Sequence, residues 1–407
     1  MSALQPLLGI AALLGIGWLL SVDRRSVRWR PVLVGIALQW ALALLVLRTP
    51  LGPRFFDVAQ TLFKNLIDLA KQGAKEVVGS AGLGLDGGAP LLGILIFVTV
   101  VFFSSLFATL HHIGVVRLIV GGMARAMARL MRTSGAESTS AAANIFVGQT
   151  EAPLLVKPYL PTMTRSEIGA IMTVGFATVA GGVFALYVGI LQDKDPEIAG
   201  HLLAATVMSA PVGLGFAKLV FPETDKPETL GRDISQPKSG YANLVDAAAT
   251  GASDGMRLAL NIIAMLVAFL ALLAVVNAVI AWVQPGASLE GMLGALLAPL
   301  AWLLGVPADE ARQVGSLLGV KVAVNEYIAY GQLMADDYDA LSDRSRRIAS
   351  YALCGFANFS SIAIQIGGLG AMAPERRPEI TRLGVRAMAA GACASFLTAA
   401  TAAIFLT

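Results

Sequence analysis

Apolar residues run along the chain in long unbroken blocks from Leu4 to Leu406, with no extended polar tract between them. A helix needs about 20 mostly apolar residues to cross the hydrocarbon of a bilayer. Residues 4–20, 31–48, 89–110, 166–191, 198–220, 256–283, 347–372 and 383–406 meet that requirement, so eight spanning helices are predicted. Two further stretches are helical in period but polar on one side. Asp57, Lys64, Asp68, Lys71, Lys75 and Glu76 punctuate 57–77, and Arg117, Arg125, Arg129 and Arg132 recur along 113–132. Both read as amphipathic helices lying in the interface, the second on the cytoplasmic side.

Residues 134–163 and 309–338 fit neither description. Each is half-apolar, long enough for two short helices but not for two full spans, and each holds a carboxylate near its middle, Glu151 or Glu326. Re-entrant hairpins meet these conditions, because non-helical backbone at membrane depth is tolerated where protein covers it or a cavity adjoins it. The order of elements then repeats: hairpin, a span containing GFATVAGG at 175–182, a span; later hairpin, a span containing GFANFSSI at 355–362, a span. An odd number of predicted crossings separates the two units, so the hairpins enter from opposite faces. An inverted repeat is the sequence pattern of secondary transporters, whose solute site lies near the midplane where broken helices meet. The expected fold is an all-α integral membrane protein with about eight transmembrane helices and two re-entrant hairpins.

Composition agrees. Of 407 residues, 56 % are hydrophobic and 14 % charged, against about 25 % charged in soluble domains. The net charge of +3 does not mark a nucleic-acid binder, since the basic residues sit in short groups beside apolar spans. Such groups set orientation, Lys and Arg remaining cytoplasmic. Arg24, Arg25, Arg28 and Arg30 after the first block predict an uncleaved first span with its N-terminus outside. Alternation then puts Asp193, Asp195 and Glu197 outside, with Lys218, Lys226, Arg232, Lys238, Arg376, Arg377 and Arg382 inside. Arg344, Arg346 and Arg347 fall outside and break the rule. Cys354 and Cys393 lie in apolar blocks and read as packing residues. Adjacent His111 and His112 point about 100° apart on a helix and cannot close on one metal alone. No GxSxG, HExxH or Walker sequence supports an intramembrane hydrolase or an ATP-driven pump.

Glu151 and Glu326 carry the chemistry, because an acidic group at membrane depth costs at least about 2.5–3.5 kcal/mol. Gln149 and Thr150 beside Glu151, and Asn325, Asn358, Ser360 and Ser361 with Glu326, supply neutral donors and acceptors with no basic residue among them. A carboxylate or phosphate solute would want Arg or Lys; a neutral solute rich in hydroxyl and amide groups suits this set. Structural carboxylates bonded to hairpin backbone are the plainer alternative. Asn144 through Val147 and Thr178 with Val179 add oxygens where the backbone is expected to bend, a usual place for sodium in such transporters but equally one for ordinary helix–helix hydrogen bonds.

Three segments, NIFVGQTEAPLLVKPYLP at 144–161, GVKVAVNEYIAY at 319–330 and CGFANFSSIAIQIGGLG at 354–370, closely resemble the signature segments of the concentrative nucleoside transporter family. The resemblance covers roughly residues 85–406. It implies a homotrimer of eight-span protomers in lipid, divided into scaffold spans and interfacial helices (1–133), a first transport repeat (134–220), a long scaffold span with connectors (221–308) and a second transport repeat (309–407). By that likeness Gln149, Thr150 and Glu151, with Val183, contact the nucleobase. Glu326, Asn358 and Ser361 hold the ribose, and Phe356 packs on the nucleoside. Asn144, Val147, Thr178 and Val179 bind sodium (Na+), mostly through carbonyls, with Thr178 where some relatives have serine. The complete NIFVGQTE pattern favours sodium over protons as the coupling ion, and the chain's compactness resembles a bacterial member in the inner membrane. The implied activity is alternating-access symport rather than catalysis; proton coupling, another neutral polar solute and a passive channel are the rivals.

Overall fold

The computed structural model describes residues 4–83, 91–192, 195–232, 234 and 240–406, so Asp193 and Lys238 lie outside the described residues. Every named element among them is helical. The first two spans, α1 (Leu4–Leu19) and α2 (Trp29–Arg48), are followed by the amphipathic α3 (Leu51–Val78), the span α4 (Leu92–His112) and the arginine-bearing α5 (Val115–Met131). Leu118 and Ile119 of α5 are exposed while Val116, Val120 and Met127 are buried. An outward apolar strip beside arginines is what an interfacial helix requires.

The first repeat unit follows. Its hairpin pairs α6 (Gly135–Ala143) with a 3-10 segment, Ala152–Thr162, in which Pro153, Pro158 and Pro161 preclude regular α-helical bonding. The next span is two half-helices, α7 (Arg165–Ala177) and α8 (Gly181–Leu191), and a continuous span, α9 (Ile198–Val220), completes the unit. Between units lie the 40-residue α10 (Leu244–Val283) and the shorter α11 (Leu289–Leu303); α11 packs on the second hairpin and sits where the sequence was read as connector. The second unit has hairpin helices α12 (Ala311–Ala323) and α13 (Glu326–Leu333), half-helices α14 (Asp343–Leu353) and α15 (Phe359–Met372), and the span α16 (Arg377–Phe405). Burial separates two classes of span: 89 % of the most apolar window of α9 is buried against 11 % of that of α10. The repeat units form the interior, and α10 leaves most of its surface exposed at the periphery of the single chain.

Equivalent bonds tie the two units internally. Ser134, the N-cap of α6, donates to Glu167 of α7 at 2.5 Å; Ser342, the N-cap of α14, donates to Glu310 beside α12 at 2.9 Å. Thus in each unit the hairpin and the broken span start side by side. The second residue of each broken span also satisfies the last carbonyl of the following span, Ser166 to Phe221 O at 2.6 Å and Arg344 to Leu406 O at 2.5 Å. The arginines that broke the charge rule all have partners within the fold. Arg344 also caps Ala403 O, Arg346 reaches the carbonyls of Tyr338 and Leu341, and Arg347 pairs with Glu197 at 2.9 Å. Arginines engaged in capping and ion pairs are held by the fold itself and need not report orientation.

The two broken spans cross at their breaks. Gly355 has φ 142°, and a Cβ there would stand 2.9 Å from the carbonyl oxygen of Ala177. Only glycine permits both that conformation and that approach.

Candidate functional site

Breaking a helix frees backbone groups, and the fold collects them in one place. The N-termini of α8, α13 and α15 and the start of the 3-10 segment after Glu151 all line a single cavity of about 470 Å³. Helix N-termini carry partial positive charge. Four of them meeting at one cavity offset the carboxylates that line it.

All eight residues expected to hold the solute, Gln149, Thr150, Glu151, Val183, Glu326, Phe356, Asn358 and Ser361, line this cavity. Glu326 opens α13, and Asn325 before it caps that helix by accepting from Ile328 N at 2.9 Å. Asn358 does the same for α15, accepting from Ser361 N at 2.8 Å and from Ser360 Oγ at 2.6 Å. With its oxygen so engaged, its Nδ2 donates to Glu326 Oε2 at 2.7 Å, while Tyr187 donates to Oε1 at 2.7 Å. Glu326 is therefore held by two fixed donors and keeps its remaining lone pairs for solute hydroxyls.

The opposite wall comes from the first hairpin. Its tip turns at Gly148, φ 94°, where a Cβ would meet Ala180 at 2.6 Å. Gly181 N donates to Phe146 O at 3.1 Å, fastening the tip to the start of α8. Gln149 Oε1 accepts from Gln365 Nε2 at 2.9 Å, which leaves the Gln149 amide nitrogen to offer to a solute. Glu151 is exposed, but to the cavity.

Behind the tip, two of the residues expected to bind sodium, Asn144 and Thr178, meet. Asn144 ends α6, is buried, and donates through Nδ2 to Thr178 Oγ1 at 2.6 Å and to Val174 O at 3.0 Å. Its Oδ1 is buried with no hydrogen-bond partner. Val179 is buried in the break beside Thr178, and Val147 borders the cavity. An unsatisfied buried amide oxygen beside a hydroxyl and freed backbone is a donor set of hard oxygens, which fits a small cation such as Na+. Among the described residues no cluster of His, Cys, Asp or Glu forms a transition-metal site.

Three contributors were not singled out from the sequence. Tyr187 looked like an ordinary apolar-span residue. Gln365 lies within a segment quoted for resemblance but was given no role. Asp254 of α10 joins the cavity from the peripheral helix; it lies just before the apolar block at 256–283, between Asp246 and Arg257, where no sequence signal separates it from a loop carboxylate. The cavity continues past Asp254 to His111 at the end of α4 and Tyr241 in the loop before α10, beside Val116 of α5.

Comparison with known proteins gives concordant results. Residues 201–403 match the family description "Na+ dependent nucleoside transporter C-terminus", residues 8–81 its N-terminus counterpart, and residues 94–194 "Nucleoside recognition". An uncharacterized transporter, YutK, of Bacillus subtilis is 41 % identical over 414 residues, spanning 100 % of both chains. Nucleoside permease NupC of Helicobacter pylori is 36 % identical over 418 residues, 100 % of this chain and 98 % of that one. The solved structure of CNTnw in an inward-facing substrate-bound state superposes with TM-score 0.91 at 40 % identity, covering 99 % of this chain and 97 % of that one.

Proposed function

The chain belongs to the Na+-dependent, concentrative nucleoside transporter family, and from that premise we propose that it imports nucleosides such as uridine by sodium-coupled alternating access. The observation that carries this reading is the one cavity in which both hairpin carboxylates meet neutral donors and helix N-termini. Glu326, with Asn358 and Ser361, holds the ribose hydroxyls. Gln149, Thr150 and Glu151, beside Val183, address the base, and Phe356 packs on the nucleoside. Sodium enters the cleft of Asn144, Val147, Thr178 and Val179, engages the free Asn144 oxygen and fixes the hairpin tip that presents Gln149. Solute affinity thereby depends on the ion.

The repeat units 134–220 and 309–407 then move as one body against a scaffold made of the remaining spans, three protomers associating through that scaffold in the bacterial inner membrane. The gradient supplies about 2.3 kcal/mol per charge per 100 mV besides its concentration term. Uridine uptake into proteoliposomes tests the reading: an imposed sodium gradient drives accumulation, and uptake that ignores sodium and follows pH removes the coupling ion while leaving the solute.

A further inference from the structure

Each broken span ends its first half at membrane depth, where the last carbonyls of a helix lack partners and carry its negative dipole end. Both units therefore need positive charge at that point. In the first unit the end of hairpin helix α6 faces the last turn of α7: Asn144 meets Val174 O and Thr178, neutral groups with one oxygen unsatisfied. In the second unit the last turn of hairpin helix α12 faces the last turn of α14, and the residue there is Lys321. Its ammonium donates to Ala352 O at 2.6 Å and Ser395 Oγ at 3.1 Å, over the face of Phe396 at 5.2 Å, and its side chain is wholly buried. A buried ammonium on neutral ligands is costly unless its charge is used.

We propose that Lys321 is a covalently tethered counterpart of the coupling ion, its ammonium filling in the second repeat unit the place a sodium ion takes in the first. This rests on the assignment of sodium to the Asn144–Thr178 cleft. Each unit then combines one carboxylate with one cation: Glu151 with a cation that comes and goes, Glu326 with one that is built in. Loaded with sodium and a neutral nucleoside, the four groups sum to zero charge; without sodium they leave one negative charge. Because Lys321 fills the second unit's place, one exchangeable ion per protomer, in the Asn144–Thr178 cleft, is expected.

Lys321→Ala removes the ammonium and opens space beside Ala352 O and Ser395. Uptake into proteoliposomes at limiting sodium is expected to fall by at least about tenfold. The order of uptake in sodium is expected to rise from about one to about two as a second ion takes the vacated place, or added propylammonium to restore uptake several-fold; either result supports the proposal. An order that stays at about one without ammonium rescue overturns it, because a purely structural lysine would behave so. Should the variant not fold, radiosodium binding to the purified wild-type protein decides: about one sodium per protomer supports the proposal and two overturn it. Wild-type uptake indifferent to sodium would instead sink the underlying coupling assignment.

Discussion

Gln365 on α15 donates through Nε2 to Oε1 of Gln149 at the first hairpin tip, 2.9 Å away, although the two lie 216 positions apart in the chain. The same nitrogen also reaches Met172 O at 3.1 Å. One amide group thus joins the second unit's broken span to the first unit's hairpin and half-helix at the wall of the cavity.

That arrangement makes Gln365 a positioning residue for Gln149. In Gln365→Leu the Gln149 amide loses its fixed orientation, and the cost of one lost hydrogen bond, about 1 kcal/mol, is expected chiefly as a several-fold rise in the KM for uridine with little change in kcat. Equal loss in KM and kcat across nucleosides would show that Gln365 acts elsewhere.

Glu326→Gln replaces an acceptor-only carboxylate by a neutral amide, which keeps its oxygen for Asn358 only by turning its nitrogen on Tyr187, whose hydroxyl must then accept instead of donate. Uridine binding, followed by thermal shift, is expected to weaken by at least about 2 kcal/mol, the scale of a charge-assisted hydrogen bond. Tyr187→Phe removes one donor and keeps the charge, so its loss is smaller. A Tyr187→Phe defect as large as that of Glu326→Gln would contradict the assignment of Glu326 as the solute's own partner.

Asn144→Ala deletes the unsatisfied oxygen along with the bonds to Val174 and Thr178. The sodium concentration for half-maximal uptake should rise at least about tenfold, while nucleoside affinity recovers at saturating sodium. If sodium dependence is unaltered, the ion binds elsewhere.

Gly355→Ala forces a Cβ to within 2.9 Å of a carbonyl at a φ of 142°. Strain of about 1–3 kcal/mol is expected, placed where the two broken spans cross. The variant should unfold at lower temperature in detergent and lose uptake out of proportion; wild-type stability would mean the crossing is not tight.

Lys218 pairs with Glu137 at 2.6 Å, and both side chains are buried where α6, α7 and α9 meet. Lys218→Met leaves Glu137 charged and uncompensated, a loss of about 3–5 kcal/mol. The double variant with Glu137→Gln should regain much of that stability, as melting of the purified protein would show.

Membrane insertion, the eight spans, both hairpins and the repeated order were legible because a bilayer imposes a length and a polarity on each segment separately. Glu151 and Glu326 stood out for the same reason, since a carboxylate within apolar sequence is costly wherever the chain folds. The polar neighbours of the two carboxylates and the oxygens at Asn144–Val147, Thr178 and Val179 could be picked out as candidates, but the role of each, and Val183 and Phe356 altogether, came from likeness to a family. Tyr187 and Gln365 gave no comparable signal: a tyrosine and a glutamine suit many places in a span, and their importance lies in which distant group they face. The arginines at 344–347 stood as an exception to the charge pattern, and their partners, the end of α16 and Glu197, are remote in sequence.

What the amino-acid order determined alone is each segment's relation to lipid and the two places where charge had to be compensated. Only the tertiary structure decided that both carboxylates face one cavity, that the breaks cross at Gly355, and that one unit meets its helix end with an unsatisfied amide and the other with a lysine. Hydrophobic transfer is a property of each residue and sums along the chain; hydrogen bonds and helix-end fields depend on direction and distance between elements, and those exist only once the two units have packed together.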